Sequence, residues 1–593
     1  MTNTQKLEIN SRELLNLYLQ KDYNLLSENL IGILEHFENI TYFELGADAQ
    51  YFINVFVKNF LYLFTQPDYF LNEKHAARFI RFNTTIANLV AMSSFQTTDA
   101  FLEVLKSQPH NFAKILALYS ARNTVRIEPQ ILFQAYPSFA CLWYSHFCEL
   151  YRSALVNKKA YQNLREHLTF IDEKLTDFHN IADVYYGATF IGASRDRQIK
   201  QQLNSSIRKS PFARNVTIVN NPNSKKIAII TAKWFPENPV YQVLSLFIES
   251  LATDYELTLI HLGTPRENLA TTVFKEVKYV DFKDGKLNLE QIRENDFMAV
   301  FYPDIGLNAE SILLSNLRLA PIQICGHGFP VSTYGSQIDY FLSGADVEIT
   351  EGAEENYSEK LVLLPGLGII NQAPNYELKN PAKKNKEFII NCSWSSEKVN
   401  YPMLSLLSEI IRQSKRKIFF RFFTSGVDTL ARKNGFIPFK QDLESLLGKD
   451  RFEIIPAKPY EEYMELMELG DISLDSYHFG GYNTVKESLY LRQPIVTFEG
   501  NKWYNRIGSQ MLRAVGLEEL IATSAREYMR LTLRLIHEDP YRTIIQQKLH
   551  QVNLDETIFS SESKIYLKKA IDLLIEKHSQ LQAENSQKPI KIG

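Results

Sequence analysis

The stretch DISLDSYHFGGYNTVKESLYLRQPIVTF, residues 471–498, decides the fold because strand signals flank a loop and a helix. Ile472 to Leu474 predicts a short buried strand, and Ile495 to Phe498 predicts the next one. Between them, a loop containing Gly480–Gly481 leads into a helix. That helix must end before Pro494, because the residue preceding a proline is pushed out of the helical region. This order predicts an α/β unit with a parallel sheet.

The same loop and helix start predict an anion site. Paired glycines let a backbone approach a ligand closely, and the free N–H groups and dipole of a helix start favour negative charge. Asn483 and Thr484 add side-chain donors, and Glu487 lies one turn further along the same helix face. This pattern suits a nucleotide diphosphate whose ribose binds the carboxylate. The alternative is an ordinary α/β turn with a solvated glutamate.

Length and composition restrict the class of protein. A chain of 593 residues is too long for one core, and 45% hydrophobic with 22% charged residues is typical of a soluble globular protein. The net charge of −3 gives no reason to expect nucleic acid or an anionic membrane as a partner. The polar first residues predict no secretory signal, and no run of about 18 apolar residues predicts a transmembrane helix.

The four cysteines contain no C-x-x-C pair, so neither a disulfide framework nor a zinc site is expected. A reducing cytoplasm fits these features. No metal is therefore predicted.

The chain divides by pattern into an all-α domain at 1–203, two α/β halves at 204–384 and 385–578, and a frayed tail at 579–593. Residues 204–224 are polar and punctuated by Pro and Asn, which predicts a linker. The aromatic stretch Trp143 to Tyr151 is predicted to be core. Strands are predicted at 227–230, 257–262, 277–280, 299–302, 322–325, 340–342, 361–364, 388–391, 418–423, 452–455, 472–474 and 495–498. Two doubly wound halves imply a cleft at the carboxyl ends of their strands.

Other loops at strand ends supply further candidates. His327 follows a predicted strand in a Gly- and Pro-rich loop and is either a base, a sugar partner or a turn histidine. Lys398 enters a helix where its ammonium can reach a pyrophosphate, although a surface lysine is the alternative. Further candidates for nucleotide contacts are Thr424, Ser425, Pro459 and Tyr460, with Lys458 a weaker one.

Several short motifs resemble those of bacterial cytoplasmic N-glycosyltransferases that modify adhesins. These enzymes belong to glycosyltransferase family 41, together with the O-GlcNAc transferases. The resemblance extends over about residues 180–570. The motifs are DVYY (183–186), FYPDIG (301–306), SNLRLAPIQ (315–323), KVNYP (398–402), FGGYNT (479–484) with Glu487, RIG (506–508) and LRAVGL (512–517).

The resemblance implies a GT-B fold, a UDP-hexose donor and an inverting, metal-independent reaction without a cofactor. No Asp-x-Asp motif occurs in either α/β half, so Lys398 and the helix start are expected to stabilise the departing UDP. The residues that resemble the diphosphate and ribose loop are Phe479, Gly480, Gly481, Tyr482, Asn483, Thr484 and Glu487, with His478 directly before them.

Four departures from the family pattern leave the acceptor and the sugar open. Trp234 to Pro239 replaces a loop that carries histidines in relatives, and Phe329 stands where N-glycosyltransferases have histidine. Tyr482 stands where the O-GlcNAc enzymes have a loop histidine, and Glu487 replaces the usual aspartate near the ribose.

The predicted function is transfer of a hexose, glucose in the first place, from UDP to asparagine in an Asn-x-Ser/Thr context of an acceptor protein. The acceptor is expected to be an adhesin or another surface protein before export. His327 is the first candidate for a base, and Asn238 and Gln242 are positioning candidates. The alternatives are O-transfer of GlcNAc to Ser/Thr, an inactive relative that serves as a partner in a glycosylation complex, and a two-lobed solute-binding protein.

Overall fold

The computed structural model describes residues 10–147, 155, 157–170, 172–176, 178–192, 196–381, 387–424, 432–584 and 586–593. The chain forms two compact units. The helical unit comprises Met1–Arg195, Ser395–Ser408 and Thr424–Ala457. The α/β unit comprises Asp196–Trp394, Glu409–Phe423 and Lys458–Gly593.

The helical unit begins with a series of short helices whose starts are often capped by a side chain. Asp22 and Asn72, for example, each accept a hydrogen bond from the amide three residues later. The helices are α1 (Ser11–Leu19), α2 (Tyr23–Glu38), α3 (Ala47–Phe64), α4 (Glu73–Arg81), α5 (Asn83–Met92), α6 (Asp99–Lys106), α7 (Phe112–Leu118), α8 (Pro129–Ala135), α9 (Pro137–Phe147), α10 (Lys158–Thr169) and α11 (Ile181–Thr189).

An aromatic core holds these helices together. Phe60 stacks on Phe64 with ring centroids 4.8 Å apart, and Phe79 meets Phe64 edge-on at 5.0 Å. Trp143 is fully buried, and its indole N–H donates to the carbonyl of Tyr119. The described part of the Trp143 to Tyr151 stretch is therefore core, as predicted, while Tyr151 lies outside the described residues.

The α/β unit opens with two helices and a mostly parallel sheet. The elements are α12 (Asp196–Lys209), α13 (Pro211–Asn215), β1 (Val219–Thr231), α14 (Pro239–Leu251), β2 (Glu256–Leu262), β3 (Glu276–Val280), β4 (Phe282–Lys283), β5 (Lys286–Leu287), β6 (Glu294–Tyr302), α15 (Ala309–Leu314), β7 (Ile322–Cys325), β8 (Tyr340–Gly344) and β9 (Lys360–Leu364). The apolar run Ile227 to Ile230 in β1 is completely buried because the strand lies inside the sheet.

The second set of elements follows from residue 388. They are β10 (Phe388–Cys392), α16 (Tyr401–Gln413), β11 (Ile418–Phe423), α17 (Phe436–Leu447), β12 (Phe452–Ile455), α18 (Tyr460–Glu468), β13 (Ile472–Leu474), α19 (Asn483–Tyr490), β14 (Ile495–Phe498), α20 (Ile507–Ala514), β15 (Ile521–Ala522), α21 (Ala525–His537), α22 (Asp539–Gln551), α23 (Tyr566–Ala583) and β16 (Ile590–Lys591). The helix predicted to end before Pro494 is α19.

The two sheets of the α/β unit are parallel. The first has the order β16-β9-β8-β7-β6-β1-β2-β3, and β4 and β5 form a separate hairpin. In the second, the strands of this unit follow the order β11-β10-β13-β14-β15. Ile390 in β10 is in register with Ile472 in β13, which places the strand before the glycine loop in the middle of the sheet. Each predicted strand is present. Two parallel α/β sheets with an N-terminal helical region confirm the predicted GT-B fold class.

Two sequence predictions are wrong. The predicted linker at 204–224 instead contains the end of α12, all of α13 and the start of β1. Ile199, Leu203 and Ile207 recur every four residues and are buried, so a narrow apolar stripe in a polar segment makes the helix. The predicted frayed tail continues α23 to Ala583 and adds β16 beside β9. The domain boundaries stay predictions.

Candidate active site

The glycine loop is held by an aspartate that directly follows β13. The amide of Gly481 donates to Oδ1 of Asp475 at 2.6 Å, and the amide of Gly480 donates to the carbonyl of Tyr504 at 2.8 Å. A Cβ on Gly481 would come within 2.1 Å of Oγ1 of Thr484, so only glycine fits. The two glycines thus let the loop pack against Asp475 and Tyr504, and both of their amides are used inside the protein.

The start of α19 is the part of this loop that is open to an anion. Tyr482 precedes the helix, and no described side chain caps the first amides. An uncapped first turn presents N–H groups and the positive end of the helix dipole. Asn483, the first helical residue, carries an Oδ1 that makes no hydrogen bond within the described residues. The helix start can therefore hold a phosphate.

Glu487 lies one turn beyond, and the structure surrounds it with tyrosines. Its side chain is buried, with 7% exposure, and burial raises the pKa of the carboxyl group above its ordinary value. The hydroxyl of Tyr460 donates to one carboxylate oxygen at 3.1 Å, and that of Tyr463 donates to the other at 2.8 Å. Tyr463 was not predicted. Its signal is the spacing of three residues from Tyr460 on one face of α18.

An aromatic layer joins the glycine loop to the first half of the α/β unit. The ring of Phe479 is parallel to that of Tyr504, with centroids 4.6 Å apart, and is stacked on Phe329 at 6.4 Å. The ring of His478 lies 6.4 Å from Tyr504, and His478 is buried, with 6% exposure. The hydroxyl of Tyr482 donates to Oδ1 of Asn371. The glycine loop is therefore in direct contact with the first α/β half, residues 204–384.

His327 is sealed within this contact. Its ring stacks on Trp503 with centroids 5.5 Å apart, and Nδ1 lies 2.8 Å from the carbonyl of Leu342. A carbonyl only accepts, so Nδ1 carries the proton and the neutral ring keeps a lone pair on Nε2. Nε2 makes no hydrogen bond to the described residues, and burial lowers the pKa of His327 to about 4. Nε2 is therefore unprotonated at neutral pH.

The segment 501–506 makes further contacts with the first half of the α/β unit. Besides Trp503, Lys502 donates to the hydroxyl of Tyr334 at 3.2 Å and lies 3.8 Å from the carboxylate of Asp196. Arg506 donates from Nε to the carbonyl of Val347 at 2.6 Å. Sequence reasoning missed these contacts because each joins residues more than 150 positions apart.

Asp304 is a second buried titratable group in the first half. It follows β6, has 0% exposure and accepts a hydrogen bond from Oγ1 of Thr231 at 2.5 Å. Burial raises the pKa of Asp304 to about 6. The loop of His327 lies beside it, because the amide of Gly328 donates to the carbonyl of Pro303.

The remaining predicted residues have separate positions. Lys398 ends a short 3₁₀ turn, and Thr424 directly follows β11 and is buried; both belong to the helical unit rather than to the unit with the glycine loop. Ser425 lies outside the described residues. Pro459 is exposed immediately before α18.

The two positioning candidates hold their own loop. Asn238 accepts from the amide of Val240 at the start of α14, and Gln242 donates to the carbonyl of Pro236 at 3.3 Å.

Among the described helices, none combines the length and apolar character that membrane crossing requires.

Comparison with known proteins finds a protein family that part of this chain matches. Residues 383–569 match the model of Glycosyl transferase family 41. A protein from Actinobacillus pleuropneumoniae, named UDP-glucose:protein N-beta-glucosyltransferase, is 25% identical over 85% of this chain and 85% of its own. A protein from Petunia hybrida, named probable UDP-N-acetylglucosamine--peptide N-acetylglucosaminyltransferase SPINDLY, is 27% identical over 37% of this chain and 23% of its own.

The fold also has a solved counterpart. The structure of a mutant O-GlcNAc transferase from Thermobaculum terrenum superposes with a TM-score of 0.58 at 18% identity, covering 87% of this chain and all of that one. The family match lies on the half that contains the glycine loop, α19 and Glu487. This part of the chain, residues 383–569, is similar to Glycosyl transferase family 41.

Proposed function

We propose that this enzyme transfers a hexose, glucose in the first place, from UDP to a protein side chain. Asparagine in an Asn-x-Ser/Thr context is the preferred acceptor. The observation that carries the proposal is the uncapped start of α19 with the buried carboxylate of Glu487 one turn beyond. Such a pair suits a nucleoside diphosphate, whose phosphate meets the helix start and whose ribose meets the carboxylate. The name of the Actinobacillus relative supports glucose and a protein acceptor.

The proposed reaction inverts the anomeric carbon. The acceptor nitrogen attacks that carbon, the bond to the oxygen of the β-phosphate breaks, and UDP leaves with the electron pair. The dipole of α19 stabilises the developing negative charge, and Lys398 is proposed to add a positive charge. Metal independence and the absence of a cofactor are part of the proposal, supported by the lack of an Asp-x-Asp motif in the α/β halves.

The acceptor must lose one proton during transfer. Nε2 of His327 is the proposed destination, because the neighbouring Nδ1 is already committed to the carbonyl of Leu342. An amide nitrogen is not basic, so the competing account relies on orientation and leaving-group stabilisation, with the proton passing to solvent. Separate measurement of peptide transfer and donor hydrolysis distinguishes the two accounts.

A second candidate function is O-transfer of N-acetylglucosamine to Ser or Thr. The Petunia relative, whose printed name states an N-acetylglucosaminyltransferase acting on peptide, supports it. The Petunia protein aligns with 37% of this chain, whereas the Actinobacillus protein aligns with 85%. Transfer of glucose to asparagine is therefore the first candidate function.

The test is a screen of UDP-sugars by thermal shift and hydrolysis, followed by transfer to two peptides that differ only in Asn-x-Thr against Gln-x-Thr. A bound donor stabilises the folded protein by mass action, so UDP-glucose should raise the melting temperature more than UDP-GlcNAc. Mass spectrometry should find one hexose on the Asn-x-Thr peptide and none on the Gln-x-Thr peptide. UDP binding without turnover of any donor would instead establish an inactive partner.

Location and acceptor complete the proposal. A cytoplasmic location and an adhesin or other surface protein as acceptor before export are proposed. Cell fractionation and hexose mapping on proteins from a strain with and without the gene test both.

A further inference from the structure

Glu487 is a buried carboxylate that is already occupied on both oxygens. The hydroxyl of Tyr460 donates to Oε1 at 3.1 Å, and the hydroxyl of Tyr463 donates to Oε2 at 2.8 Å. With 7% of its surface exposed, Glu487 leaves little room for a further partner. A ribose that binds this carboxylate must therefore displace one of the two tyrosine hydroxyls from it.

The two tyrosines are held very differently. The hydroxyl of Tyr463 also lies 3.1 Å from Oγ of Ser393, and its ring meets Phe423 edge-on with centroids 5.3 Å apart. Burial raises the pKa of Tyr463 well above its ordinary value. Tyr463 thus has a second polar partner, Ser393, and a packing partner, Phe423.

Tyr460 lies on the solvent side of the same carboxylate. It is the first residue of α18, it is 42% exposed, and its bond to Glu487 is the longer of the two. Its ring contacts Tyr463 obliquely, with centroids 6.1 Å apart. A rotation of the Tyr460 side chain towards solvent would uncover Oε1 of Glu487.

We propose that Tyr463 is a positioning residue that holds Glu487 for the ribose, and that the Tyr460 hydroxyl is a place-holder that the ribose displaces. The inference rests on the proposed function, because it takes the donor to be a ribonucleoside diphosphate. The exchange replaces one O–H donor on the carboxylate by another, so no buried charge loses its partner during binding. A hydroxyl that already occupies the ribose position also keeps the carboxylate hydrogen-bonded when the donor is absent.

The two tyrosines make opposite predictions for the same substitution. Calorimetry measures the Kd of UDP and of 2′-deoxy-UDP for the wild-type chain, Tyr460→Phe, Tyr463→Phe and the control Tyr490→Phe. Tyr463→Phe should weaken UDP about tenfold, as loss of a hydrogen bond to a charged group typically does. Tyr460→Phe removes only the competing hydroxyl, so its Kd for UDP should equal the wild-type value or fall below it.

The deoxy nucleotide separates positioning from a general structural effect. If Tyr463 aims Glu487 at the ribose, Tyr463→Phe should lose affinity for UDP but little for 2′-deoxy-UDP, so the preference for UDP shrinks. A merely structural role would weaken both nucleotides alike. Tyr490→Phe removes another hydroxyl from α19, one that donates to the carbonyl of Tyr376, and should keep the wild-type preference.

The outcomes distinguish the inference from the function on which it rests. A wild-type chain that binds no UDP overturns both. A wild-type chain that binds UDP, with Tyr460→Phe and Tyr463→Phe weakened to the same extent, overturns the inference alone. Equal loss of both nucleotides in Tyr463→Phe also overturns it. Circular dichroism melts of all variants establish that each one is folded under the conditions of the titration.

Discussion

The proposed donor loop, residues 475–487, and the proposed acceptor loop, residues 326–333, follow buried parallel strands in the two halves of the α/β unit, yet they are built in opposite ways. In the donor loop the glycine amides are tied to Asp475 and Tyr504, and the helix start beyond them is uncapped. In the proposed acceptor loop the candidate base, His327, is itself covered by Trp503. The helix start on the proposed donor side is therefore preformed, and only the Tyr460 hydroxyl on Glu487 has to move. A proposed acceptor would have to displace Trp503 to reach Nε2 of His327.

The largest expected effect concerns the leaving group of the proposed reaction. Lys398→Ala should lower kcat about 10²-fold or more, as removal of one preplaced charge from a leaving group typically does. Single-turnover transfer at saturating UDP-glucose measures it. Lys440→Ala, which removes a lysine from α17, serves as a control and should retain the wild-type rate. A wild-type rate in Lys398→Ala shows that the dipole of α19 suffices.

The sequence predicts the fold far better than it predicts the site. Most of the predicted strands contain a short buried apolar run, and such runs are visible without tertiary information. Glu487 is predicted because it shares a helix with the glycine loop. Tyr463, Asp475 and Trp503 are missed or left without a role because their importance comes from tertiary contacts that local patterns do not encode.

The wrong linker prediction has the same origin. Residues 204–209 are polar in composition, but Asn204 is buried and donates to the carbonyls of Thr333 and Tyr334. A buried amide with tertiary partners has the same local sequence signature as a solvated one. The prediction therefore failed where a polar helix packs against a loop distant in sequence.

The second expected effect tests whether the donor side binds ground and transition states alike. Glu487→Ala should weaken UDP and UDP-glucose by the same factor, about thirtyfold, since a hydrogen bond to a charged group contributes about 2 kcal/mol. Because ribose contacts do not change during transfer, kcat at saturating donor should stay within about twofold. Calorimetry and steady-state kinetics measure the two quantities, and a kcat defect at unchanged Kd contradicts the assignment.

The third expected effect belongs to the acceptor side and depends on pH. Burial lowers the pKa of His327 from an ordinary 6.5 to about 4, so protonation favours the unfolded chain. The stability that comes from the neutral ring is complete above pH 6.5 and is lost as the pH falls towards 4. At pH 5.5 the loss is about 1.4 kcal/mol, and it should disappear in His327→Gln. Urea unfolding at pH 7.5 and 5.5 measures the difference.

A matched histidine in the helical unit separates burial from function. Burial also lowers the pKa of His167 to about 4, but both of its ring nitrogens have partners, the carbonyl of Asn163 and the hydroxyl of Tyr119. His167→Gln should remove a comparable pH dependence and leave peptide transfer unchanged. His327→Gln should in addition lower the rate of peptide transfer while donor affinity is kept. Normal transfer in His327→Gln removes it from the mechanism and favours the account based on orientation.

The smallest expected effect concerns the hydrogen bond between Tyr482 and Asn371, which joins the two α/β halves. The hydroxyl of Tyr482 donates to Asn371, whose side chain is 3% exposed and also donates to the carbonyl of Ile558. Tyr482→Phe should destabilise the fold by about 1 kcal/mol, because the amide oxygen of Asn371 loses its donor. The Kd of UDP should hardly change, since the proposed anion site consists of the backbone amides and the dipole of α19. A double-mutant cycle with Asn371→Ala, by urea unfolding and calorimetry, isolates the pair. A UDP affinity that falls with the coupling energy would show that the preformed donor loop depends on this tie to the first half.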